Sequence, residues 1–309
     1  VGGELSVAGN ALSLSRSDGL GSADQEMTRG SLEVNWRRRL TDAIGITYTP
    51  FANLRADAYQ FNDFTDPESV QTEIRYRDGS PRTIVTGSEF TSSDTTLRGV
   101  AAGGATVTYP WVANAPGSTH IIEPIGQIVA RQDAMTQRRL PNEDARSLIF
   151  DDTNLFEISK FSGYDRTEMG TRINAGVQYT FQAWSGGYAR LLAGQSFHIS
   201  GDNVYSNPGR DDKGNLIYSA ASGLQDDRSD YVLGAYIAPT DNFRLISQSR
   251  FDDETLEMRR MNTGIHYGYG PFDFMAVYAY ASSNALVDQQ QSQQDIQSSL
   301  MVQLTDTWS

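Results

Sequence analysis

The chain has 309 residues, with 25 lysines and arginines against 38 aspartates and glutamates, a net charge of −13 and no cysteine. The acidic balance argues against a nucleic-acid partner, whose phosphates require a basic surface, and the lack of cysteine excludes disulfides and thiolate metal sites. No stretch approaches the roughly 18 consecutive apolar residues of a membrane-spanning helix.

Alternating polar and apolar residues predict extended strands along the whole chain. Successive side chains of a strand point to opposite faces of its sheet, so each strand would have one polar and one apolar face. From Tyr164 onward, for example, the even positions include Arg166 and Glu168, whereas the odd positions include Met169 and Ile173. About twelve complete strands are predicted in this way: 4–15, 28–40, 44–62, 97–111, 120–132, 164–184, 188–200, 231–238, 243–252, 256–269, 272–282 and 296–304.

The connections between the predicted strands alternate in length. Tight turns are predicted near residues 41, 116, 186, 240, 270 and 305, and mostly longer polar connections near 20, 80, 148, 214, 253 and 288. Aromatic residues such as Tyr109, Trp111 and Trp184 lie close to the tight turns, where a membrane headgroup boundary would favour them. These features predict an all-β fold, an antiparallel up-and-down transmembrane β-barrel, of which the chain supplies about 12 strands.

Polar residues of the predicted strands are candidates for the lining of a wet lumen. We expect Arg166, Glu168 and Arg172 to form a charge network with Glu123 and Arg131 of the neighbouring strand. The predicted lumen-facing residues are Asn53, Arg55, Asp57, Glu123, Gln127, Arg131, Asn174, Gln178, Arg244 and Arg250.

The connection from Asp133 to Gly163 is a long polar stretch with apolar residues at intervals. Its acidic residues, Glu143, Asp144, Asp151 and Asp152, either hold a divalent cation or are solvated or fix the loop through hydrogen bonds, and the second interpretation is favoured. Its apolar residues, Phe150, Leu155, Phe156 and Phe161, form either a lipid contact or anchors that fold the loop into the barrel mouth. A loop of this length favours anchors.

Residues 122–172 resemble the C-terminal barrel region of the LptD family, the outer-membrane proteins of lipopolysaccharide (LPS) assembly. The usual Asn-Arg of the family motif is replaced here by Ser159 and Lys160, and the cysteines that commonly cross-link the family barrel to its periplasmic domain do not occur. The matching residues are Ile122, Glu123, Pro124, Pro141, Asn142, Glu143, Asp144, Phe150, Asp151, Asn154, Leu155, Phe156, Phe161, Ser162, Gly163, Tyr164, Asp165, Arg166, Glu168, Gly170 and Arg172.

The resemblance implies transport of LPS and its insertion into the outer leaflet of the Gram-negative outer membrane. The partners that it implies are LPS itself, outer-membrane lipids, periplasmic LPS bridge proteins and an LptE-like lipoprotein plug in the lumen. We expect residues 1–309 to be part of one barrel domain of a longer exported protein, with a periplasmic jelly-roll domain and the closing strands outside this chain.

Two other functional classes compete with this interpretation. A general porin or nutrient channel would use the same barrel, and would have a variable, loose loop at 133–163. An enzyme would require a histidine and a carboxylate in contact at the extracellular rim, but His120, His198 and His266 lie on separate predicted strands without metal-ligand spacing. The sequence predicts no catalytic residue, no metal and no cofactor.

Overall fold

Antiparallel strands make up the regular structure of the chain. The computed structural model describes residues 2–16, 25–65, 70–77, 80–87, 91–133, 140–145, 148–206, 222–283 and 291–304. Its strands are β1 (Glu4–Arg16), β2 (Gln25–Arg37), β3 (Leu40–Thr41), β4 (Thr47–Thr65), β5 (Val70–Arg77), β6 (Ser80–Gly87), β7 (Thr91–Thr108), β8 (Trp111–Ala115), β9 (Ser118–Arg131), β10 (Gly170–Ala183), β11 (Tyr188–Ser200), β12 (Tyr231–Thr240), β13 (Phe243–Phe251), β14 (Met258–Tyr269), β15 (Phe272–Ala281) and β16 (Gln293–Val302).

Neighbouring strands of the sheet follow one another in the chain. The order is β1-β2-β4-β7-β9-β10-β11-β12-β13-β14-β15-β16, with β3 and β8 paired beside β4 and β9. This confirms the predicted all-β, antiparallel up-and-down arrangement of twelve main strands. Within the described residues, β1 and β16 do not pair with each other. No helix in the described part of the chain is long and apolar enough to cross a membrane.

Short and long connections alternate between the two ends of the sheet, as the sequence predicts. The short connections at the tight-turn end follow β2, β7, β10, β12 and β14, whereas the connections at the long-loop end follow β1, β4, β9, β11, β13 and β15. The predicted loop near residue 80 contains the hairpin β5–β6, which forms a separate two-stranded sheet. The centres of the loops predicted near 20, 214 and 288, and the tight turn predicted near 305, lie outside the described residues.

The two faces of the sheet differ in chemistry. We call residues 140–145 and 148–169 the inner segment, and the face that they contact the inner face. Asp57 and Arg98 are register partners on the inner face and are each 2% exposed, whereas Leu54 and Leu97 on the outer face are 60% and 76% exposed. An extended apolar outer surface of this kind is the lipid-facing band of a membrane barrel. Further exposed apolar residues of the outer face are Leu5, Val7, Leu32, Ile128, Ile173, Val177, Leu191 and Leu233.

The strand predicted from residue 164 starts six residues later. β10 begins at Gly170, whose φ of 71° is a left-handed conformation that glycine adopts without strain. Before it, side chains of both parities are buried, Asp165 and Thr167 as well as Glu168. The predicted start at Tyr164 is therefore wrong, because residues 164–169 belong to the inner segment, in which residues 165–169 are all buried.

Candidate functional site on the inner face

Two aspartates join the start and the end of the inner segment, because the carboxylate of each accepts hydrogen bonds from backbone N–H groups at and next to the other. The Asp144 carboxylate accepts hydrogen bonds from the backbone N–H groups of Tyr164 (3.0 Å) and Asp165 (2.9 Å). The Asp165 carboxylate in turn accepts bonds from the N–H groups of Glu143 (2.7 Å) and Asp144 (3.1 Å). A Cβ atom at Gly163 would lie 2.2 Å from Asp144 Oδ1, so only glycine fits there. The start and the end of the segment are thereby held side by side.

Arginines of the sheet bind this aspartate pair. Arg29 of β2 donates to Asp165 and lies 2.9 Å from Asp144 Oδ2, and its side chain is 1% exposed. Arg98 of β7 donates to the backbone carbonyl of Asp165 (2.8 Å) and pairs with Asp57 (2.7 Å). Buried charges of this kind require close partners. These side chains form a first charge cluster with equal numbers of arginines and aspartates. Its members are Arg29, Arg55, Arg98, Asp57, Asp144 and Asp165.

An aromatic ring lies between two of these arginines. The guanidinium carbons of Arg29 and Arg55 are each 5.3 Å from the centroid of the Tyr164 ring, within the range of a cation–π interaction. Arg55 also donates to the Tyr164 carbonyl at 3.2 Å. Burial raises the pKa of Asp165, whereas in Asp144 the hydrogen bonds from Tyr164 and Arg29 outweigh burial and lower the pKa.

A second charge cluster surrounds Glu168. Its carboxylate lies 3.2 Å from Arg172, 3.5 Å from Arg131 and 3.7 Å from Lys160, and it is completely buried. Burial alone would raise the pKa of Glu168, but the three cations lower it to about 2. Burial lowers the pKa of Lys160 to about 8 against the attraction of Glu168. One carboxylate thus holds three buried cations from β9, β10 and the inner segment.

Apolar side chains anchor the inner segment near the long-loop end. The cluster contains Leu148, Phe150, Leu155 and Phe161, with Phe156 packed against it. A Cβ atom at Gly194 of β11 would lie 2.4 Å from Leu155 Cδ2, so the lack of a side chain at Gly194 makes room for this anchor. Further members are Ala145, Met169, Val204, Tyr205, Leu224 and Val232.

The remaining predicted residues of the inner segment shape its turns. Arg166 donates to the carbonyls of Leu140 (2.9 Å) and Pro141 (3.3 Å). Asn142 accepts a bond from Ala145 N (3.0 Å). Asp151, Asn154 and Ser162 also make hydrogen bonds within the segment: Asn154 Oδ1 accepts from Asp151 N (3.1 Å), and Ser162 Oγ donates to the Asp144 carbonyl (3.3 Å).

The structure separates several residues that we expected to act together. Arg166 and Glu123 are not part of the Glu168 cluster; Glu123 lines a cavity nearer the tight-turn end. Gln178 is the register partner of Glu123. Gln127 accepts a bond from Asn174 (2.7 Å) and donates to the Phe156 carbonyl (2.8 Å). Three binding partners of Asp165 were not predicted from the sequence: Arg29, Arg98 and Tyr59. They can be identified only once the strand register is known.

The two other candidate arginines lie farther along the sheet. Arg250 of β13 pairs with Asp230 at 3.1 Å, whereas Arg244 on the same strand face is exposed. Asp230, Asp252 and Asp253 could together hold a metal ion by their spacing. Each of the three carboxylates is, however, paired with an arginine: Arg250, Arg259 and Arg228 respectively.

One histidine does contact a carboxylate. His266 Nε2 lies 2.8 Å from Asp273 Oδ2. The pair adjoins the connection 270–271, so it is at the tight-turn end and not at the opposite rim, where the enzymatic alternative requires such a pair.

Residues 2–308 match a protein-family model described as LptD, LPS transport system D. No curated protein matches the chain. The match extends over nearly the whole chain, far beyond the residues 122–172 in which the sequence analysis found the resemblance.

Proposed function

Because this chain belongs to the LptD family of lipopolysaccharide transport proteins of the outer membrane, we propose that it forms the wall of an LPS translocon. In this role it delivers LPS to the outer leaflet of the Gram-negative outer membrane. Residues 1–309 would then be part of one barrel domain. The periplasmic jelly-roll domain and the closing strands are assigned to other parts of the protein.

The contrast between the two faces of the sheet carries this proposal. The outer face is apolar and suits lipid, whereas the inner face holds amide, carboxylate and guanidinium groups. A lipid with a large saccharide can divide between these surfaces: its acyl chains remain in the membrane while its sugars follow the polar side. The polar inner-face residues are the ones that would face the lumen.

Apolar side chains on part of the inner face support a protein partner there. Ile246, Met275 and Val277 of β13 and β15 are 49%, 48% and 38% exposed, and the strand register places them on the same face as Arg250. Exposed apolar residues on a surface that should meet water indicate a contact. We assign this surface to an LptE-like lipoprotein plug, with the periplasmic LPS bridge proteins docking at the tight-turn end.

The packing of the inner segment favours this function over a general porin or nutrient channel. A diffusion channel was expected to have a loose loop at residues 133–163, but Phe150 and Leu155 of this loop are completely buried and its Asp144 is paired with Arg29 at 2.9 Å. A segment fixed in this way obstructs the inner face, which suits a controlled passage.

Depletion of the protein from growing cells separates the two functions. We expect newly made, radiolabelled LPS to stop reaching the cell surface while the uptake of small hydrophilic solutes is unchanged. Surface LPS is measured by its accessibility to a modifying enzyme added outside the cells. Normal arrival of LPS together with slower solute uptake would contradict the proposal and would identify a channel.

Repeating the assay with Tyr164, Asp165 and Arg166 replaced tests the role of the inner segment. Normal surface LPS in a folded variant would exclude a role of the inner segment in LPS transport.

A further inference from the structure

A cavity of about 350 Å³ separates the inner segment from the sheet. Its walls come from β2, β4, β7 and β9 on one side and from residues 157–167 on the other. Glu33 and Asn35 place it on the tight-turn side of the contact between Arg29 and Asp165. The cavity is distinct from the two charge clusters, but it shares one arginine with each of them. Arg55 of the first cluster and Arg131 of the Glu168 cluster also line the cavity.

One wall of the cavity is a hydrogen-bonded group of planar polar side chains. Glu33 Oε1 accepts bonds from Asn53 Nδ2 (2.5 Å) and Asn35 Nδ2 (3.0 Å), and Asn53 Nδ2 also lies 2.6 Å from Asn35 Oδ1. These contacts fix the side chains in place and leave further donor and acceptor positions of the amides and the carboxylate for a ligand. The wall is therefore pre-organised for a group with several hydroxyls.

Two further residues of the lining, Arg131 on the sheet side and Ser159 on the side of the inner segment, each carry a buried donor without an acceptor. Among the described residues, Arg131 Nη1 and Ser159 Oγ have no hydrogen-bond partner, and both atoms are buried. Arg131 Nε donates to the carbonyl of Ile158 at 2.7 Å, and Nη2 donates to the same carbonyl, so the guanidinium is held in place. A buried donor without an acceptor is unfavourable, so an oxygen-rich group bound beside these two atoms would be stabilised by them.

Size and charge define the class of this ligand. A volume of 350 Å³ is near the lower end of the roughly 300–1,000 Å³ typical of small-molecule sites, so it admits one sugar-sized group and excludes a whole glycolipid. Two arginines, Arg55 and Arg131, face two glutamates, Glu33 and Glu157, so the lining has no excess of positive charge for a phosphate. We propose that the cavity is a saccharide subsite that holds one sugar residue of the transported LPS below the inner segment. The identity of the saccharide rests on the proposed function.

Filling the cavity tests the subsite. Ala102 of β7 lines it and is 9% exposed, whereas its neighbour Ala101 points to the outer face beside Leu54. Ala102→Leu therefore occupies the cavity, and Ala101→Leu is the matched control on the same strand. The probe is deacylated core oligosaccharide of LPS, titrated calorimetrically against the purified protein in detergent. We expect Ala102→Leu to weaken binding at least tenfold and Ala101→Leu to leave it unchanged.

A second variant and a competitor complete the experiment. Ser159→Ala removes one donor that has no acceptor, with little change in volume. We expect this variant to bind the oligosaccharide several-fold more weakly than the wild type, and it remains a test of the subsite if Ala102→Leu fails to fold. Equal binding by the wild type, Ala102→Leu and Ser159→Ala would overturn the proposal, and so would displacement of the oligosaccharide by inorganic phosphate. Failure of wild-type protein to bind the probe, together with loss of LPS delivery when the protein is depleted, would exclude the subsite and leave the translocon function intact.

Discussion

Glu168→Gln is expected to lower the free energy of unfolding by about 3–5 kcal/mol, the usual cost of removing one partner from a buried ion pair. The glutamine has nearly the same shape, but it carries no charge to balance Arg131, Arg172 and Lys160, which surround a completely buried position. The inner segment would then leave the sheet, because solvation of Lys160 is the readiest way to relieve the repulsion among the cations.

Urea unfolding of the protein in lipid vesicles measures this loss. Glu157→Gln is the matched control, since Glu157 is exposed on the same segment, and its effect should remain within about 0.5 kcal/mol. Adding Lys160→Met to Glu168→Gln removes one of the three unbalanced cations, so the double variant should be more stable than Glu168→Gln alone. Equal losses for Glu157→Gln and Glu168→Gln would refute the role assigned to the cluster.

Arg29→Met is expected to have an effect of similar size. The substitution leaves Asp165 completely buried without its guanidinium partner and removes the bond to Asn10 (2.8 Å). In the part of the chain that the structure describes, only the backbone N–H groups of Glu143 and Asp144 and the Tyr59 hydroxyl then remain to stabilise the Asp165 carboxylate. We expect a loss of about 3–5 kcal/mol in the free energy of unfolding.

Arg37→Met on the same strand is the control for this experiment. Arg37 makes an ion pair with Glu4 at 2.8 Å, but both side chains are 64% exposed, and exposed pairs contribute little. A double-mutant cycle with Arg29→Met and Asp165→Asn measures the coupling of the pair directly. The double variant should lose much less than the sum of the single losses; simple additivity would show that the two side chains do not interact.

Periodicity was sufficient to predict the sheet. Alternation located all twelve main strands, and the bounds of β11, Tyr188–Ser200, agree with the predicted 188–200. It succeeded because one face of each strand meets a polar interior and the other face meets an apolar surface. The polarity of a residue therefore indicates the face of the sheet to which its side chain points. The hairpin β5–β6 was missed within a polar stretch, although the dipeptide Asp78-Gly79 between its strands is a strong hairpin signal.

The same alternation failed where a segment is enclosed on all sides. Arg166 and Glu168 continue the polar series of β10, but Asp165, Thr167 and Met169 are buried as well, and no two-sided pattern describes such a stretch. Gly170 was the available signal, since a glycine with positive φ separates the inner segment from the strand.

The contacts of the site could not be derived from the sequence for a different reason. Arg29 and Asp165 are 136 positions apart. Until the strand register is known, a polar strand residue that contacts the inner segment cannot be distinguished from one that does not. Sequence reasoning therefore identified the inner segment and the polar face, but not the arginines that join them.

Protection of Lys160 from a lysine-specific protease tests most directly whether the inner segment is packed against the sheet. The chain has two lysines, Lys160 and Lys213, so mass spectrometry assigns each cut unambiguously. In the folded wild-type protein we predict no cleavage after Lys160, and in Glu168→Gln rapid cleavage there. Cleavage after Lys160 in the folded wild type at the rate seen in the urea-unfolded chain would contradict the account.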